Sequence, residues 1–146
     1  MSNLNIVNKK AGFNYALEQK YTAGMALTGT EVKSIRQSNA SISEAYCVIE
    51  GNELFIKNMH ISEWKFGSYL NHEPLRTRKL LLTKKELRKL KRGIETEGYA
   101  IIPIRVFLSD RGLIKIEIAL AKGKKLFDKR EDIKKKDLER ETKRKF

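Results

Sequence analysis

Residues 102–120 read IPIRVFLSDRGLIKIEIAL, and this stretch decides the fold. Large aliphatic residues occupy every second position on both sides of the segment SDRG at 109–112. Such alternation is typical of a β-strand with one buried face, and SDRG is typical of a turn. The stretch therefore predicts two antiparallel strands joined in a hairpin. Pro103 has no N–H to donate, so we expect a bulge or an exposed edge in the first strand.

Other parts of the chain also carry strand patterns. Apolar residues alternate over 13–27, which predicts a long strand that bends at Gly24. Segments 46–49 and 54–61 flank a Gly-Asn pair and predict another hairpin. Residues 63–78 lack periodicity and contain glycine and proline, so we interpret them as a long loop.

Two segments predict short helices. In residues 29–36 two apolar side chains lie three apart, and Thr30 is placed to cap the helix start. Residues 83–86 read TKKE, the pattern of a capping box, and the helix that follows should end before Gly98. Several antiparallel strands with two or three short helices predict a mainly β fold, a small antiparallel barrel with the first helix covering one end. A split α+β sheet is the alternative.

The C-terminal part of the chain has a different composition. Residues 122–146 contain few apolar side chains among many lysines, arginines and acids. Such a segment buries too little surface to offset the cost of ordering it. We therefore expect one domain over residues 1–121 and a basic tail over 122–146 that is disordered when free. Because its charged residues have good helix propensity, the tail can become helical on a polyanionic surface.

Composition also narrows the functional class. Lysine and arginine number 31 against 18 acidic residues in a chain of 146, a formal charge of +13, which attracts polyanions such as nucleic acid. We find no secretory signal, no apolar run long enough for a membrane span and no basic amphipathic helix for a bilayer surface, so we expect a cytoplasmic protein without a membrane partner. The single cysteine, Cys47, excludes an internal disulfide, and we expect it to be a small buried hydrophobe.

The residue types needed for catalysis do not form a recognisable pattern. His60 and His72 are the only histidines, and their spacing matches no metal-ligand motif. The glycines form no phosphate-binding loop, and no nucleophile motif is present. We therefore expect no enzyme, no catalytic residue, no metal and no cofactor. A nuclease that uses one of the two histidines with acids is the remaining enzymatic hypothesis.

Arginines and aromatic residues in the predicted loop indicate a nucleic-acid surface instead. Arg76 and Arg78 flank its turn-rich part, and the planar guanidinium pairs well with phosphate, so we predict that both bind RNA. Trp64 and Tyr69 either stack on bases or cover an end of the barrel. The lysines and arginines of residues 84–92 form either an RNA surface or a solvated helix face.

Three blocks of sequence carry a resemblance to a known family: LTGTEVKSIR at 27–36, NHEPLRTRKLLL at 71–82 and AKGKKLFDKR at 121–130. In these blocks, and in their order, the chain resembles the SmpB (small protein B, or SsrA-binding protein) family. Members of that family partner transfer-messenger RNA (SsrA RNA) in bacterial ribosome rescue. The resemblance extends over essentially the whole chain.

The resemblance implies an OB-like barrel that binds the tRNA-like domain of transfer-messenger RNA and delivers it to stalled 70S ribosomes for trans-translation. It also implies that the tail becomes helical in the small-subunit decoding centre and the mRNA path. Elongation factor Tu and alanyl-tRNA synthetase would be indirect partners, through the RNA. Another ribosomal or tRNA-binding OB-barrel protein is the alternative reading of the same features.

The resemblance also implies functional residues. Its RNA-binding surface corresponds here to Glu31, Lys33, Ser34, Arg36, Lys122, Lys124 and Lys125, and its decoding tail to Phe127, Asp128, Lys129 and Arg130. Since a carboxylate repels phosphate, Glu31 must either accept hydrogen bonds from a base edge or a 2′-hydroxyl or order a neighbouring basic side chain, and we hypothesise the first. The sequence departs from the family at Phe127, where His or Tyr is common, and at Glu63-Trp64, where Pro-Tyr is expected.

Overall fold

A computed structural model describes residues 4–67 and 69–123 of the chain. Along this part the elements follow one another as β1 (Asn5–Val7), α1 (Ala11–Asn14), β2 (Tyr15–Met25), α2 (Gly29–Arg36), β3 (Ala40–Ser41), β4 (Tyr46–Glu50), β5 (Glu53–Lys57), β6 (His60–Ile61), β7 (Arg78–Leu81), α3 (Lys84–Glu97), β8 (Ala100–Leu108) and β9 (Ile114–Gly123). The predicted mainly β fold with short helices is confirmed.

Seven of the strands form one antiparallel sheet. Their order is β1-β8-β4-β5-β7-β2-β9, and β8 pairs with β9 as well as with β1 and β4. The series β8-β4-β5-β7-β2-β9 therefore has a first and a last strand that also pair with each other. The short strands β3 and β6 pair separately.

The hairpin predicted from residues 102–120 is confirmed, and it consists of strands β8 and β9. A register shift between Pro103 and Arg105 confirms the expected bulge. The turn is closed by the N–H of Ser109, which donates to the carbonyl of Leu113 at 2.8 Å, and Gly112 supplies its positive φ of 77°. Alternation places Val106, Ile116 and Ile118 in the core, with no exposed surface on any of them.

Two predicted strands are shorter than their patterns indicated. The strand expected over 13–27 is β2, Tyr15–Met25, and a helical turn precedes it. Its irregularity lies between Leu17 and Gln19, where the register with β9 shifts. The strand expected over 54–61 is divided into β5 and β6, because Asn58 has a φ of 61° and a left-handed residue interrupts an extended strand.

Both longer helices begin with the same motif. In α3 the predicted capping box of Thr83 and Glu86 is confirmed, and the helix ends at Gly98 with a φ of 68°. In α2 the predicted cap, Thr30, is wrong. Thr28 caps this helix instead, because it is the threonine that has a glutamate three residues later and so completes a capping box.

The interior is formed mainly by aliphatic side chains from the sheet and the two longer helices. Cys47 belongs to it, as expected, and burial raises the pKa of its thiol. Helix α3 packs closely on β9, since a Cβ at Gly93 would lie 2.8 Å from a methyl group of Leu120. Three polar residues, Glu31, Ser34 and Arg78, also have no exposed surface.

Candidate nucleic-acid interface

Helix α2 carries four of the residues predicted to bind RNA, and it divides them between two faces. Lys33 and Arg36 are exposed, whereas Glu31 and Ser34 are completely buried. This division follows from helical periodicity, which turns residues three apart to the same side. The Ser34 hydroxyl has no hydrogen-bond partner among the described residues. Two of the four predicted residues therefore lie beneath the surface.

The Glu31 carboxylate is the centre of a buried polar cluster. Its Oε1 accepts from the N–H of Thr28 at 2.8 Å and from Nη2 of Arg76 at 2.6 Å. Its Oε2 accepts from Nε of Arg78 at 2.5 Å and from Nε of Arg76 at 3.3 Å. The Glu31 and Arg78 side chains have no exposed surface, while 38% of the Arg76 side chain is exposed. We call these three residues the Glu31 cluster.

This geometry bears on the hypothesis for Glu31. Both carboxylate oxygens accept from protein donors and neither reaches solvent, so this structure does not present the carboxylate to a base edge or a 2′-hydroxyl. The second reading fits instead, in which the carboxylate orders neighbouring basic side chains. Arg78 is buried as well, and its guanidinium donates to the carbonyls of Met59, Glu73 and Pro74, which favours a supporting role for it.

The cluster fixes the charge state of its acid. Burial alone would raise the pKa of the Glu31 carboxyl, but hydrogen bonds from Arg76, from the Thr28 N–H and from Arg78 outweigh it and lower the pKa to about 2. Burial also lowers the pKa of the Arg78 guanidinium, an effect that Glu31 opposes. At neutral pH the acid is ionised and paired with two guanidinium groups.

The cluster and His72 fasten the loop between β6 and β7 to helix α2. Nε2 of His72 lies 2.8 Å from the carbonyl of Ile61, and Nδ1 lies 2.9 Å from the Thr30 hydroxyl. A carbonyl only accepts, so Nε2 carries the proton, and in the neutral ring Nδ1 accepts from Thr30. His72 is thus a satisfied structural residue. Within 4–67 and 69–123 no group of three or more His, Cys, Asp or Glu side chains is arranged to hold a metal ion.

A groove lies between helix α2 and the turn that joins β8 to β9. Its walls include Leu81 and Leu113, of which 50% and 56% are exposed, and its two charged lining residues are Arg36 and Lys115. Nη2 of Arg36 lies 3.5 Å from the carbonyl of Gly112. Apolar walls with cations and no acid suit a flat apolar group attached to an anion, such as a nucleotide. We call this site the α2 groove.

Sequence reasoning found one residue of this groove, Arg36, and missed Leu81, Leu113 and Lys115. A signal existed for Leu81, since alternation along β7 turns Leu80 inward and therefore Leu81 outward. Nothing in the periodicity indicates that the hairpin turn approaches α2. Gly24 lies beside this wall, where a Cβ would come within 3.4 Å of the Leu81 Cβ.

The remaining predicted residues are not gathered at this groove. Lys122 is exposed and pairs with Ala16, at the opposite end of the β2–β9 ladder from Lys115 and Gly24. The rest of the predicted residues lie outside the described part of the chain: Lys124, Lys125, Phe127, Asp128, Lys129 and Arg130. The predicted disorder of the tail concerns the same part of the chain. None of the helices in the described part is long and apolar enough to cross a membrane.

The fold and the α2 groove define a class of protein: a small, strongly basic antiparallel β protein with a cationic, partly apolar surface groove. Comparison with known proteins then gives the family. A family model described as "SmpB protein" matches residues 5–146, and the chain belongs to the SmpB family.

Individual relatives agree with this assignment over nearly the full chain. The SsrA-binding protein of Cytophaga hutchinsonii is 58% identical over 144 residues, covering 99% of this chain and 94% of that protein. That of Phocaeicola vulgatus is 53% identical over 143 residues, covering 98% and 95%. A solved structure described as "tmRNA-SmpB: a journey to the center of the bacterial ribosome" matches with a TM-score of 0.71 and 37% identity, covering 89% of this chain and 94% of that one.

Proposed function

We propose that this protein binds the tRNA-like domain of transfer-messenger RNA and delivers it to stalled bacterial ribosomes for trans-translation. The observation that carries the proposal is the match to SsrA-binding proteins over almost the entire length of both chains. A structural neighbour described with transfer-messenger RNA and the ribosome supports the same partners. Elongation factor Tu and alanyl-tRNA synthetase take part indirectly, through the RNA. The protein acts in the cytoplasm as a binding factor and not as an enzyme.

The proposed architecture is an OB-like barrel over residues 1–121 followed by the basic tail, 122–146. The barrel is supported by the strand pairings, because β8 pairs with β4 on one side and with β9 on the other and so joins both ends of the series. A closed sheet removes exposed strand edges. The tail acts in the decoding centre and the mRNA path, with Asp128, Lys129 and Arg130 needed there.

The described residues support a division of roles in RNA binding. Arg36 and Lys115 supply charge at the α2 groove, Lys33 extends that charge along the exposed face of the helix, and the apolar walls cover a base or sugar. The Glu31 cluster holds α2 and the neighbouring loop in place. In this proposal Glu31, Ser34 and Arg78 act as positioning residues, while Lys122, Lys124 and Lys125 add contacts at the far end of β9.

Binding to the isolated RNA domain tests the proposal. The purified protein is titrated with the tRNA-like domain of transfer-messenger RNA and, separately, with an elongator tRNA over a range of salt concentrations. Phosphate contacts alone give similar affinities for both RNAs and a log–log salt slope of about −0.7 to −0.9 per contact. A clear preference for the tRNA-like domain at moderate salt is expected. Equal binding that is lost as salt rises would favour another ribosomal or tRNA-binding barrel protein.

Matched variants locate the specificity. Arg36→Ala is expected to weaken binding of the tRNA-like domain and to reduce the salt slope by about one contact. Arg92→Ala removes another exposed arginine, from α3, and is the control, with a smaller effect on preference. Replacing Asp128, Lys129 and Arg130 together is expected to leave RNA affinity nearly unchanged and to abolish tagging in a translation assay. A large loss of affinity in that variant would contradict the division between barrel and tail.

A further inference from the structure

The loop between β6 and β7 exposes an unusual amount of apolar surface. Phe66 is 76% exposed, Tyr69 92% and Leu70 75%. Isolated apolar side chains on a surface are ordinary, but several large ones within a few residues of one loop mark an interaction site. Tyr69 therefore does not cover an end of the sheet, which was one of the two readings of this residue from the sequence.

Hydrogen bonds within the loop connect three of its described residues, Trp64, Gly67 and Asn71. The Asn71 side chain accepts from the N–H of Trp64 at 3.0 Å and donates to the carbonyl of Trp64 at 2.8 Å, so the amide closes a ring with the backbone. Gly67 donates to the same carbonyl at 2.9 Å. A Cβ at Gly67 would lie 2.5 Å from the Asn71 amide nitrogen, so only glycine leaves room for this clamp.

The loop is also bonded to helix α2 of the candidate interface. His72 bonds to Thr30 of α2, and Arg76 bonds to Glu31 of the same helix. The loop is therefore attached to the first turn of the helix that carries Lys33 and Arg36. Because these described residues are already bonded in place, ordering them costs little free energy when a partner binds.

The chemistry of the exposed side chains favours RNA bases as the occupant. Phe66 packs edge-on against Trp64, with ring centroids 5.5 Å apart, and Nζ of Lys65 lies 5.7 Å from the Phe66 centroid. An aromatic ring with a cation beside it can stack on a base while the cation attracts the phosphate. Tyr69 projects almost alone, and separate projecting rings fit individual unstacked bases better than a continuous protein surface.

We propose that Phe66 and Tyr69 stack on unpaired nucleobases of the bound RNA, so that the loop forms a second contact surface in addition to the α2 groove. This inference rests on the proposed function, since it specifies how the same protein holds its RNA. Stacking tolerates different bases, because every base presents a flat aromatic face.

Titration of the tRNA-like domain with F66A, Y69A and the double variant tests this role. The double variant is expected to bind about tenfold or more weakly than wild type, with an unchanged salt slope, because stacking releases no counterions. Lys33→Ala should show the reverse pattern, with a smaller slope. Tyr46→Ala removes another tyrosine that is 42% exposed, on β4, and is the control, with unchanged affinity.

Trp64 provides an independent signal. It is the only tryptophan of the chain and lies in this loop, so its fluorescence reports RNA contact there. A change in emission on RNA binding by the wild type, reduced in Y69A, is expected. Wild-type affinity in the double variant would overturn the stacking role and leave a protein partner for the loop. A wild type that shows no preference for the tRNA-like domain would instead overturn the proposed function, so the two failures are distinguishable.

Discussion

Helices α2 and α3 begin in the same way and are used differently. Each starts with a threonine whose hydroxyl accepts from the backbone of a glutamate three residues later, and that glutamate accepts from the N–H of the threonine. In α3 the Glu86 bonds are exposed, and among residues 4–67 and 69–123 its carboxylate is bonded to Thr83 alone. In α2 the Glu31 carboxylate is buried and also binds Arg76 and Arg78, which come from a distant part of the chain.

The comparison shows that one local motif can serve two purposes. At Thr83 it satisfies free N–H groups of the helix start, and its bonds there are exposed. At Thr28 it also presents a carboxylate to the interior, where two arginines neutralise it and one of them, Arg78, holds the adjacent loop by its carbonyls. Removing the acid from each helix therefore has unequal consequences.

The largest difference is expected between Glu31→Ala and Glu86→Ala. The first leaves Arg78 buried without its counter-ion, and breaking a buried pair in this way costs about 3–5 kcal/mol. The second removes one half of an exposed capping box and costs about 1 kcal/mol or less. Urea unfolding followed by circular dichroism measures both. Similar losses in the two variants would show that the cluster adds nothing to a helix cap.

Acid should reveal the same cluster. The pKa of Glu31 is lowered from 4.5 to about 2 in the folded protein, so its contribution is fully present above pH 4.5 and is lost as the pH falls toward 2. That contribution is about 3 kcal/mol at neutral pH. Unfolding midpoints between pH 7 and pH 2 should fall more gently in Glu31→Gln than in wild type. Glu44→Gln, which removes an exposed carboxylate, should follow the wild-type curve.

Arginine identity in the cluster gives a smaller effect. Arg78→Lys keeps the charge but loses the planar fork that reaches Glu31, Met59 and Pro74, and we expect a loss of about 2 kcal/mol. Arg76→Lys should cost less than about 1 kcal/mol, because that side chain is partly exposed and water replaces the lost bonds. Thermal unfolding of the pair checks the order. Equal effects would mean that burial does not set the strength of these contacts.

The smallest effect is expected at the edge of the cluster. Thr30→Val removes the hydroxyl that bonds to Nδ1 of His72 and should cost about 1 kcal/mol. Thr96→Val changes an exposed threonine in α3 and is the matched control. Limited proteolysis of the loop between β6 and β7 gives a second measure, since cleavage there should become faster in Thr30→Val. Unchanged cleavage would show that His72 does not need Thr30 to hold the loop.

The sequence predicted best what depends on neighbouring residues. Alternation located the β8–β9 hairpin, and the spacing of Thr83 and Glu86 located the start of α3. The same spacing is present at Thr28 and Glu31, and this spacing, not the position of Thr30, determines the cap of α2. Asn58 shows the limit of such patterns, because a single residue with positive φ divides a strand that alternation treats as continuous.

The candidate site depended on contacts that no local pattern contains. The sequence predicts Glu31 and Arg78 to be surface groups, because charged residues are seldom fully buried unless they are paired. Their pairing joins α2 to the first residue of β7, and only the fold brings these two segments together. The α2 groove likewise needs the hairpin turn at Gly112 beside Arg36. Residue types thus indicated a basic nucleic-acid surface, while the assignment of contact and supporting roles required the structure.

The strand order has a consequence for how the chain acquires its structure during synthesis. Strand β2 is made early, but it pairs with β7 and β9, and its first residue, Tyr15, lies opposite Gly123. Most of its hydrogen bonds must therefore wait until almost all of the described chain has left the ribosome. Proteins dominated by such non-local pairings fold slowly, because loop closure costs entropy before the contacts form. We expect this protein to complete its sheet only after translation of β9 and to refold on the millisecond-to-second scale.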